Sequence, residues 1–189
     1  MEYERCWETK KESIRQYDKT VETYDRLYQD EQKRKFEAAL ETIEVPESEY
    51  VLDVGCGTGL LIEAVTKWGK QIVGVDSSKG MIERANRKCR GSPACFICAD
   101  ADYLPFTSEV FDLVFSFTVL QNLPYPNKTV EESCRVAKIR STMILTALKK
   151  SFTKQSFYCL FDKNKKRLVL IELLDETDVK DFIAVCKIL

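Results

Sequence analysis

The chain has 189 residues, of which 44% are hydrophobic, so it can form one packed domain and is too short for two of ordinary size. Its 29 basic and 30 acidic side chains give a formal net charge of −1, which excludes a strong overall attraction to nucleic acid or membranes. No apolar run approaches the roughly 20 residues of a membrane span, and the first residues lack a signal-peptide pattern, so we expect a cytoplasmic protein.

Two helices are predicted before the first strand. Residues 1–10 are polar and are expected to fray. Apolar residues then recur at spacings of three and four, which predicts an amphipathic helix to about residue 30 with this stripe: Ile14, Tyr17, Val21, Tyr24 and Tyr28. A second helix is predicted from there to the segment 45–48, where Pro46 ends it. Tyr17 and Tyr28 are expected to pack against the sheet.

The segment 50–61 predicts a buried strand, a tight turn and the start of a helix. Its glycines, Gly55, Gly57 and Gly59, stand at alternate positions, which suits a ligand that lies against bare backbone. Asp53 precedes them by two positions and would repel a diphosphate, but it suits a ligand with an amino group. The spacing also differs from the G-x-G-x-x-G of dinucleotide sites, so a nicotinamide-dependent oxidoreductase is the less favoured alternative.

Two further strands are predicted to end in acidic residues. The strand 71–75 ends in Asp76, which follows Gly59 by 17 residues, close to the roughly 20 at which a carboxylate meets ribose hydroxyls. The alternative role for Asp76 is the N-cap of the next helix, residues 79–90, although Ser77 and Ser78 can also cap it. The strand 94–99 then leads into Asp100, and Asp102 is assigned only to solvation of the loop.

The remaining elements complete a sheet of seven strands. Strands are predicted at 111–117 and 142–148, with a helix from Pro126 between them and another helix over 149–162. The last apolar runs, 168–174 and 182–189, are joined by too few residues for a helical crossover, so they should pair antiparallel. The fold class is therefore α/β, with a mostly parallel seven-stranded sheet, helices on both faces and a C-terminal antiparallel hairpin.

The acidic-apolar-G-x-G-x-G pattern of residues 53–59, together with Asp76, resembles the class I S-adenosylmethionine (SAM)-dependent methyltransferases. The resemblance covers about residues 13–189 and implies a Rossmann-like fold with SAM as the cofactor. It implies one methyltransferase domain over 1–189, with N-terminal helices (1–48) that cover the cofactor and a SAM-binding core (49–189). It also implies a set of cofactor-binding residues: Tyr24, Asp53, Gly55, Gly57, Gly59, Asp76, Ser77, Met81, Asp100, Ala101 and Ser116.

Individual roles within this set come from the same resemblance. Tyr24 lies in the covering helix and Met81 packs on the adenine ring, with core packing as the ordinary alternative for a methionine. Asp100 accepts a hydrogen bond from the adenine amino group, and the next backbone N–H, at Ala101, meets the ring. Ser116 begins the segment 116–124 at the end of the sheet where the methyl group faces its acceptor.

The acceptor is not identified by any motif. Methyl transfer from a sulfonium depends mainly on alignment, the chain has no histidine, and no catalytic residue is assigned. The sequence lacks the Asn/Asp-Pro-Pro-Tyr motif of enzymes that methylate exocyclic amines of bases or a glutamine amide. RNA or a translation component is slightly preferred, and the alternatives are a small-molecule acceptor and a non-catalytic SAM-binding subunit. A basic cluster is either an RNA-binding rim or a solvated face: Lys149, Lys150, Lys154, Lys163, Lys165, Lys166 and Arg167.

Cysteines and the third strand raise two further questions. The eight cysteines are interpreted as free thiols in a reducing compartment. Cys95 and Cys98 form a C-x-x-C, but residues three apart in a strand point to opposite faces, so no metal site is predicted. In the family this strand is a sheet edge, and here it carries no charge. Some minimal methyltransferases of translation pair this edge with a small zinc-ribbon activator protein; a homodimer or a covered edge are the alternatives.

Overall fold

The computed structural model describes residues 2–43, 48–66, 69–176 and 178–189, and these confirm the predicted α/β fold. The strands, numbered in chain order, are β1 (Ser48–Val54), β2 (Gly69–Asp76), β3 (Ala94–Cys98), β4 (Phe111–Ser116), β5 (Ala137–Leu148), β6 (Leu168–Leu174) and β7 (Asp181–Ile188). They form one sheet in the order β3-β2-β1-β4-β5-β7-β6, and β7 pairs antiparallel with both β5 and β6. The C-terminal hairpin is therefore confirmed.

Helices cover both faces of this sheet. They are α1 (Glu2–Leu40), α2 (Leu60–Val65), α3 (Lys79–Lys88), α4 (Pro126–Val136) and α5 (Lys154–Lys163), with a 3₁₀ turn at Leu120–Asn122. The apolar core has two parts: one includes side chains of α1 and α2, and the other includes side chains of α4 and α5. Among the residues described, no helix is both long enough and apolar enough to cross a membrane.

The N-terminal region differs from the sequence prediction. One helix of 39 residues, α1, replaces the two that were predicted, because residues 2–40 contain neither glycine nor proline to interrupt it. The prediction of a frayed start was wrong, since the helix begins at Glu2. Tyr28 is 42% exposed, so its predicted packing against the sheet was also wrong. The predicted break at 45–47 lies outside the described residues.

The strand β5 is longer than the sequence indicated. It begins directly after α4, at Ala137, and its pairing with β4 shifts register between Phe111 and Leu113. Arg140 lies in this irregular stretch with a φ of 66°, a left-handed conformation that non-glycine residues rarely adopt. The extra residues of β5 in this stretch form a bulge within a continuous strand.

Candidate functional site

A cavity lies between the N-terminal half of α1 and the C-terminal ends of β1 to β4. Its wall includes eight of the residues that the sequence singled out: Tyr24, Gly55, Gly57, Asp76, Ser77, Met81, Asp100 and Ala101. Asp53 lines a smaller cavity that shares Tyr24, Gly55 and Gly57 with the first. Ligands of open α/β sheets bind at this end of the strands, so the location agrees with the topology.

Gly59 and Ser116 are not on the cavity wall. A Cβ on Gly59 would lie 2.9 Å from Cys89 Sγ, so this glycine allows the turn to pack against α3. Ser116 is fully buried, and its hydroxyl has no hydrogen-bond partner in the described part of the chain. The strand β4 ends at Ser116, and it is the following residues, from Phe117 on, that reach the cavity. The predicted contacts of Gly59 and Ser116 with a ligand are therefore not supported by their positions.

The turn after β1 presents bare backbone to the cavity. Gly55 and Gly57 have φ values of 79° and 51°, which favour glycine. Beside Gly57 there is open space, because the nearest atom to a Cβ built there is Tyr24 Cε1 at 4.0 Å. The Gly55 N–H donates to the Val75 carbonyl at 2.7 Å, which ties the turn to the end of β2. A ligand can therefore lie directly against the main chain at Gly57.

Asp76 is held by the turn on one side and by the start of α3 on the other. Its Oδ2 accepts from the Gly57 N–H at 2.9 Å and its Oδ1 from the Ser78 N–H at 2.8 Å. Burial raises the pKa of this carboxyl, and the backbone donors act in the opposite direction. The N-cap role belongs to Ser78, whose Oγ accepts from the Met81 N–H. Each Asp76 oxygen keeps a lone pair for a ligand hydroxyl.

Asp53 is a buried carboxyl beside this turn. It is 2% exposed, and no lysine or arginine among the described residues forms an ion pair with it. Burial raises its pKa to about 8, and the charge of Asp76 adds to the shift. Near neutral pH a cation beside this carboxyl would favour its ionised form, so the site suits a positively charged ligand.

The far end of the cavity is closed by a lysine that the sequence analysis missed. Lys10 of α1 is 7% exposed, and its Nζ donates to Asp100 Oδ1 at 2.7 Å and to Asp102 Oδ2 at 2.5 Å. Asp102 is 3% exposed and also accepts from the Thr129 hydroxyl, so its assignment to loop solvation was wrong. Asp100 does line the cavity, but Lys10 already contacts both of its oxygens.

Two tyrosines of α1 line the cavity. Tyr24 was predicted there; burial raises the pKa of its phenol well above the ordinary value, so it is a neutral group at physiological pH. Tyr17 was predicted to pack on the sheet, but it also lines the cavity, and its OH accepts from Asn122 Nδ2 at 2.9 Å. The neighbouring Asp25 accepts from the Thr58 hydroxyl, which joins α1 to the glycine turn.

Some cavity residues of α1 carried a signal that was overlooked. The apolar stripe of the helix extends back from Ile14 by the same spacing to Lys10 and Trp7, and all three line the cavity. The segment after β4, which was predicted to face the acceptor, contributes Phe117, Thr118, Val119, Asn122 and Leu123, and the remaining wall residues are Ser13, Val75, Cys98 and Ala99. No group of three or more metal-ligating side chains occurs in the described ranges.

Comparison with known proteins gives one matching family. The sequence profile of the methyltransferase domain family matches residues 52–145. An uncharacterized protein of Methanocaldococcus jannaschii is 32% identical over 69% of this chain and 49% of its own length. The malonyl-[acyl-carrier protein] O-methyltransferase of Anoxybacillus flavithermus is 29% identical over 70% of this chain and 51% of its own. The chain thus spans about half the length of these curated relatives.

Two solved structures share the fold. A Haloferax volcanii complex of the Trm112 methyltransferase activator with a candidate methyltransferase aligns with a TM-score of 0.76 at 18% identity, over 91% of this chain and 96% of that one. The magnesium protoporphyrin IX methyltransferase of Synechocystis PCC 6803, solved with bound SAM, aligns with a TM-score of 0.75 at 18% identity, over 95% and 96%. At such identities the likeness concerns the fold alone.

Proposed function

Because the chain belongs to the class I family of SAM-dependent methyltransferases, we propose that its cavity binds SAM and that the protein transfers the methyl group to an acceptor. The observation that carries the proposal is the bare turn at Gly57 between two strand-end carboxyls, Asp53 and Asp76. SAM would supply an electrophilic methyl group on a sulfonium. Its positive charges and lack of phosphate match a site with buried acidic groups.

The residues of the cavity divide into three groups toward this cofactor. Asp53 and the backbone at Gly57 hold the amino acid part, and Asp53 balances its ammonium. Asp76 accepts from the ribose hydroxyls. Met81, Asp100 and Ala101 surround the base, with Ser77 and Tyr24 completing the wall. We propose no direct contact for Gly59 or Ser116, because neither lies on the wall of either cavity.

Alignment rather than acid–base chemistry is the contribution we propose for this chain. The acceptor side of the cavity is formed by Tyr17 and the segment 117–123, which offers mainly apolar groups and the amide of Asn122. Held in line with the sulfonium methyl, an unprotonated amine can attack through its lone pair without an activated base, and the methylated ammonium then exchanges its proton with water. We therefore assign no general base.

For the acceptor, we propose RNA or a translation component first and a small molecule second. The first class follows from the resemblance to methyltransferases of translation that pair this edge strand with an activator. The second follows from relatives such as the Anoxybacillus flavithermus enzyme, whose name gives the malonyl group of an acyl-carrier protein as the acceptor. The basic cluster of residues 149–167 does not add weight to RNA. Lys149 and Lys154 pair with Asp175, and Lys165 pairs with Asp162, which is typical of a solvated face.

A small activator protein is the partner we propose, docked on the edge strand β3. This strand is at the end of the sheet, and its exposed residues, Cys95 and Cys98, carry no charge that would oppose strand pairing. The Haloferax volcanii methyltransferase that shares this fold is in complex with such an activator. A homodimer through β3 is the alternative.

The remaining parts of the proposal concern organisation and compartment. We propose that residues 1–189 act as one domain, in which α1 covers the cofactor and residues 49–189 form the binding core. All eight cysteines are unpaired, and they include the exposed Cys95, Cys98 and Cys159. Free exposed thiols persist in reducing surroundings, so we propose a cytoplasmic protein.

Two experiments test these proposals. Labelled SAM incubated with the protein and fractionated cell extract should place label in one fraction: RNA, protein or small molecules. Tight SAM binding without transfer to any fraction would instead identify a non-catalytic SAM-binding subunit. For the partner, Cys95→Lys should abolish a stoichiometric complex with a small co-purifying protein while SAM affinity stays unchanged. If a mass measurement shows that the wild type is a monomer without a bound partner, both the activator and the homodimer proposals for β3 are contradicted.

A further inference from the structure

A buried ion pair links the helix α1 to the strand β7. Lys35 and Asp181 have side chains that are 0% exposed, and Lys35 Nζ lies 3.0 Å from Asp181 Oδ1. Burying two charges carries a desolvation cost that often makes an apolar pair of similar volume at least as stable. Stability alone therefore does not explain this pair, and we turn to the residues that its two side chains contact.

Both charges reach Thr118, the second residue after β4. Lys35 Nζ donates to Thr118 Oγ1 at 2.6 Å, and this hydroxyl donates to Asp181 Oδ2 at 3.3 Å. Thr146 of β5 provides a second link: its hydroxyl donates to Asp181 Oδ2 at 2.8 Å and accepts from the Thr118 N–H at 2.8 Å. The ion pair thus holds Thr118 through its side chain and, by way of Thr146, through its backbone.

Thr118 is in a conformation that it would not adopt unaided. Its φ is 61°, in the left-handed region that is rare for a β-branched residue. Such a conformation persists only where surrounding contacts enforce it. The Thr118 carbonyl also accepts from Asn122 Nδ2 at 3.2 Å and from Gln121 Nε2, so the same residue fixes the 3₁₀ turn that follows.

The segment that Thr118 fixes forms one wall of the cavity. Phe117, Thr118 and Val119 line it, as do Asn122 and Leu123. Val119 packs directly on the glycine turn, because a Cβ on Gly55 would meet Val119 Cγ2 at 2.0 Å. A change of φ at Thr118 would move Val119 and Asn122 away from the turn and from Tyr17.

We propose that Lys35 and Asp181 are positioning residues that hold the segment 117–123 against the glycine turn, where the acceptor meets the methyl group. Neither side chain lines either cavity, so both act through Thr118. The position of the wall follows from the contacts alone; its part in acceptor binding rests on the proposed function. The ion pair couples α1, which covers the cavity, to the opposite wall.

Amide hydrogen exchange tests the positioning role without an acceptor. Lys35→Met/Asp181→Asn removes both charges, and Thr118→Val removes only the hydroxyl that joins the wall to the intact pair. In both variants the amides of Thr118, Asn122 and Leu123 should exchange at least tenfold faster, while those of β1 and β2 keep their wild-type rates. Lys138→Met/Asp112→Asn is the control, because that 2.7 Å pair joins β5 to β4 at the end of the sheet away from the cavity. It should leave the wall unchanged.

Unchanged exchange at these three amides in folded Thr118→Val would overturn the inference, as would a uniform increase across the whole sheet. If the charge variant does not fold, Thr118→Val decides alone. Transfer of labelled methyl groups gives the functional readout: both variants should transfer at least tenfold more slowly with SAM affinity within about threefold of wild type. A wild-type protein that transfers no label would contradict the proposed function, and the exchange measurement would still decide this inference.

Discussion

Val119 occupies the space that any side chain at Gly55 would need: a Cβ built on Gly55 would lie 2.0 Å from Val119 Cγ2. Gly55 directly follows β1 and Val119 is the third residue after β4, and these neighbouring strands pair in parallel at the centre of the sheet. Two features therefore require glycine at position 55: its φ of 79° and the close approach of Val119. The glycine turn and the wall form a single packed unit around the cavity.

Gly55→Ala tests this packing. We expect a loss of about 2–5 kcal/mol in the free energy of unfolding, from left-handed strain of about 1–2 kcal/mol and from overpacking of about 1–3 kcal/mol. Gly91→Ala is the matched control, because Gly91 has a φ of 89° and no atom within 4 Å of a built Cβ. The Gly91→Ala variant should lose only the free energy of unfolding that comes from left-handed strain. Urea unfolding measures both variants. If they lose the same free energy of unfolding, Val119 moves aside without a measurable cost.

Lys10→Met should destabilise the protein by about 3–5 kcal/mol, because it leaves Asp100 on the cavity wall and Asp102 behind it without their shared cation. Asp102, the more buried of the two, is 3% exposed. Lys11→Met is the control on the same helix, since Lys11 pairs with the exposed Glu8 and its loss should leave the stability close to that of the wild type. If thermal unfolding gives the two variants the same midpoint, Lys10 does not hold α1 on the cavity.

Asp53 gives the ligand-free protein a pH-dependent stability. Its pKa is raised from 3.8 to about 8 on folding, so between these values the folded state holds a proton that the unfolded state has released. Stability from this group is therefore present at low pH and falls as pH rises toward 8, by up to about 1.4 kcal/mol per pH unit. Asp53→Asn should be more stable relative to wild type at pH 7.5 than at pH 6. If the unfolding free energies of the wild type and of Asp53→Asn change with pH in the same way, the raised pKa of Asp53 is contradicted.

The same group should make SAM binding pH-dependent in the opposite sense. An ammonium beside Asp53 requires the carboxylate, so affinity should rise several-fold per pH unit between pH 5.5 and 7, where the ligand amino group stays protonated. Asp53→Asn should bind more weakly and show a flat profile over this range. Calorimetry in buffers of different ionisation enthalpy would detect the proton released by the wild type; no release would place the ammonium elsewhere.

The sheet could be predicted from the sequence because its signals are local. The glycine turn, Asp76 at a strand end and the two closing apolar runs each occupy a few adjacent residues. The contact of Lys10 with Asp100 joins residues 90 positions apart, so the spacing that places Lys10 on the helix stripe cannot identify its partner. For the segment after β4, the sequence predicted a location beside the acceptor but not the direction in which its chain runs. Its direction depends on the left-handed Thr118, which is enforced by side chains of α1, β5 and β7.

Binding of SAM to wild type and to Asp76→Ala, measured by isothermal titration calorimetry, tests the central claim most directly. We predict one SAM site in the wild type, binding of the demethylated product, no binding of NAD, and a 10- to 100-fold weaker affinity for SAM in Asp76→Ala, equivalent to about 1–3 kcal/mol. Asp162→Ala, at an exposed ion pair away from the cavity, should bind SAM like the wild type. A wild type that does not bind SAM, or an Asp76→Ala variant with unchanged affinity, would contradict the account.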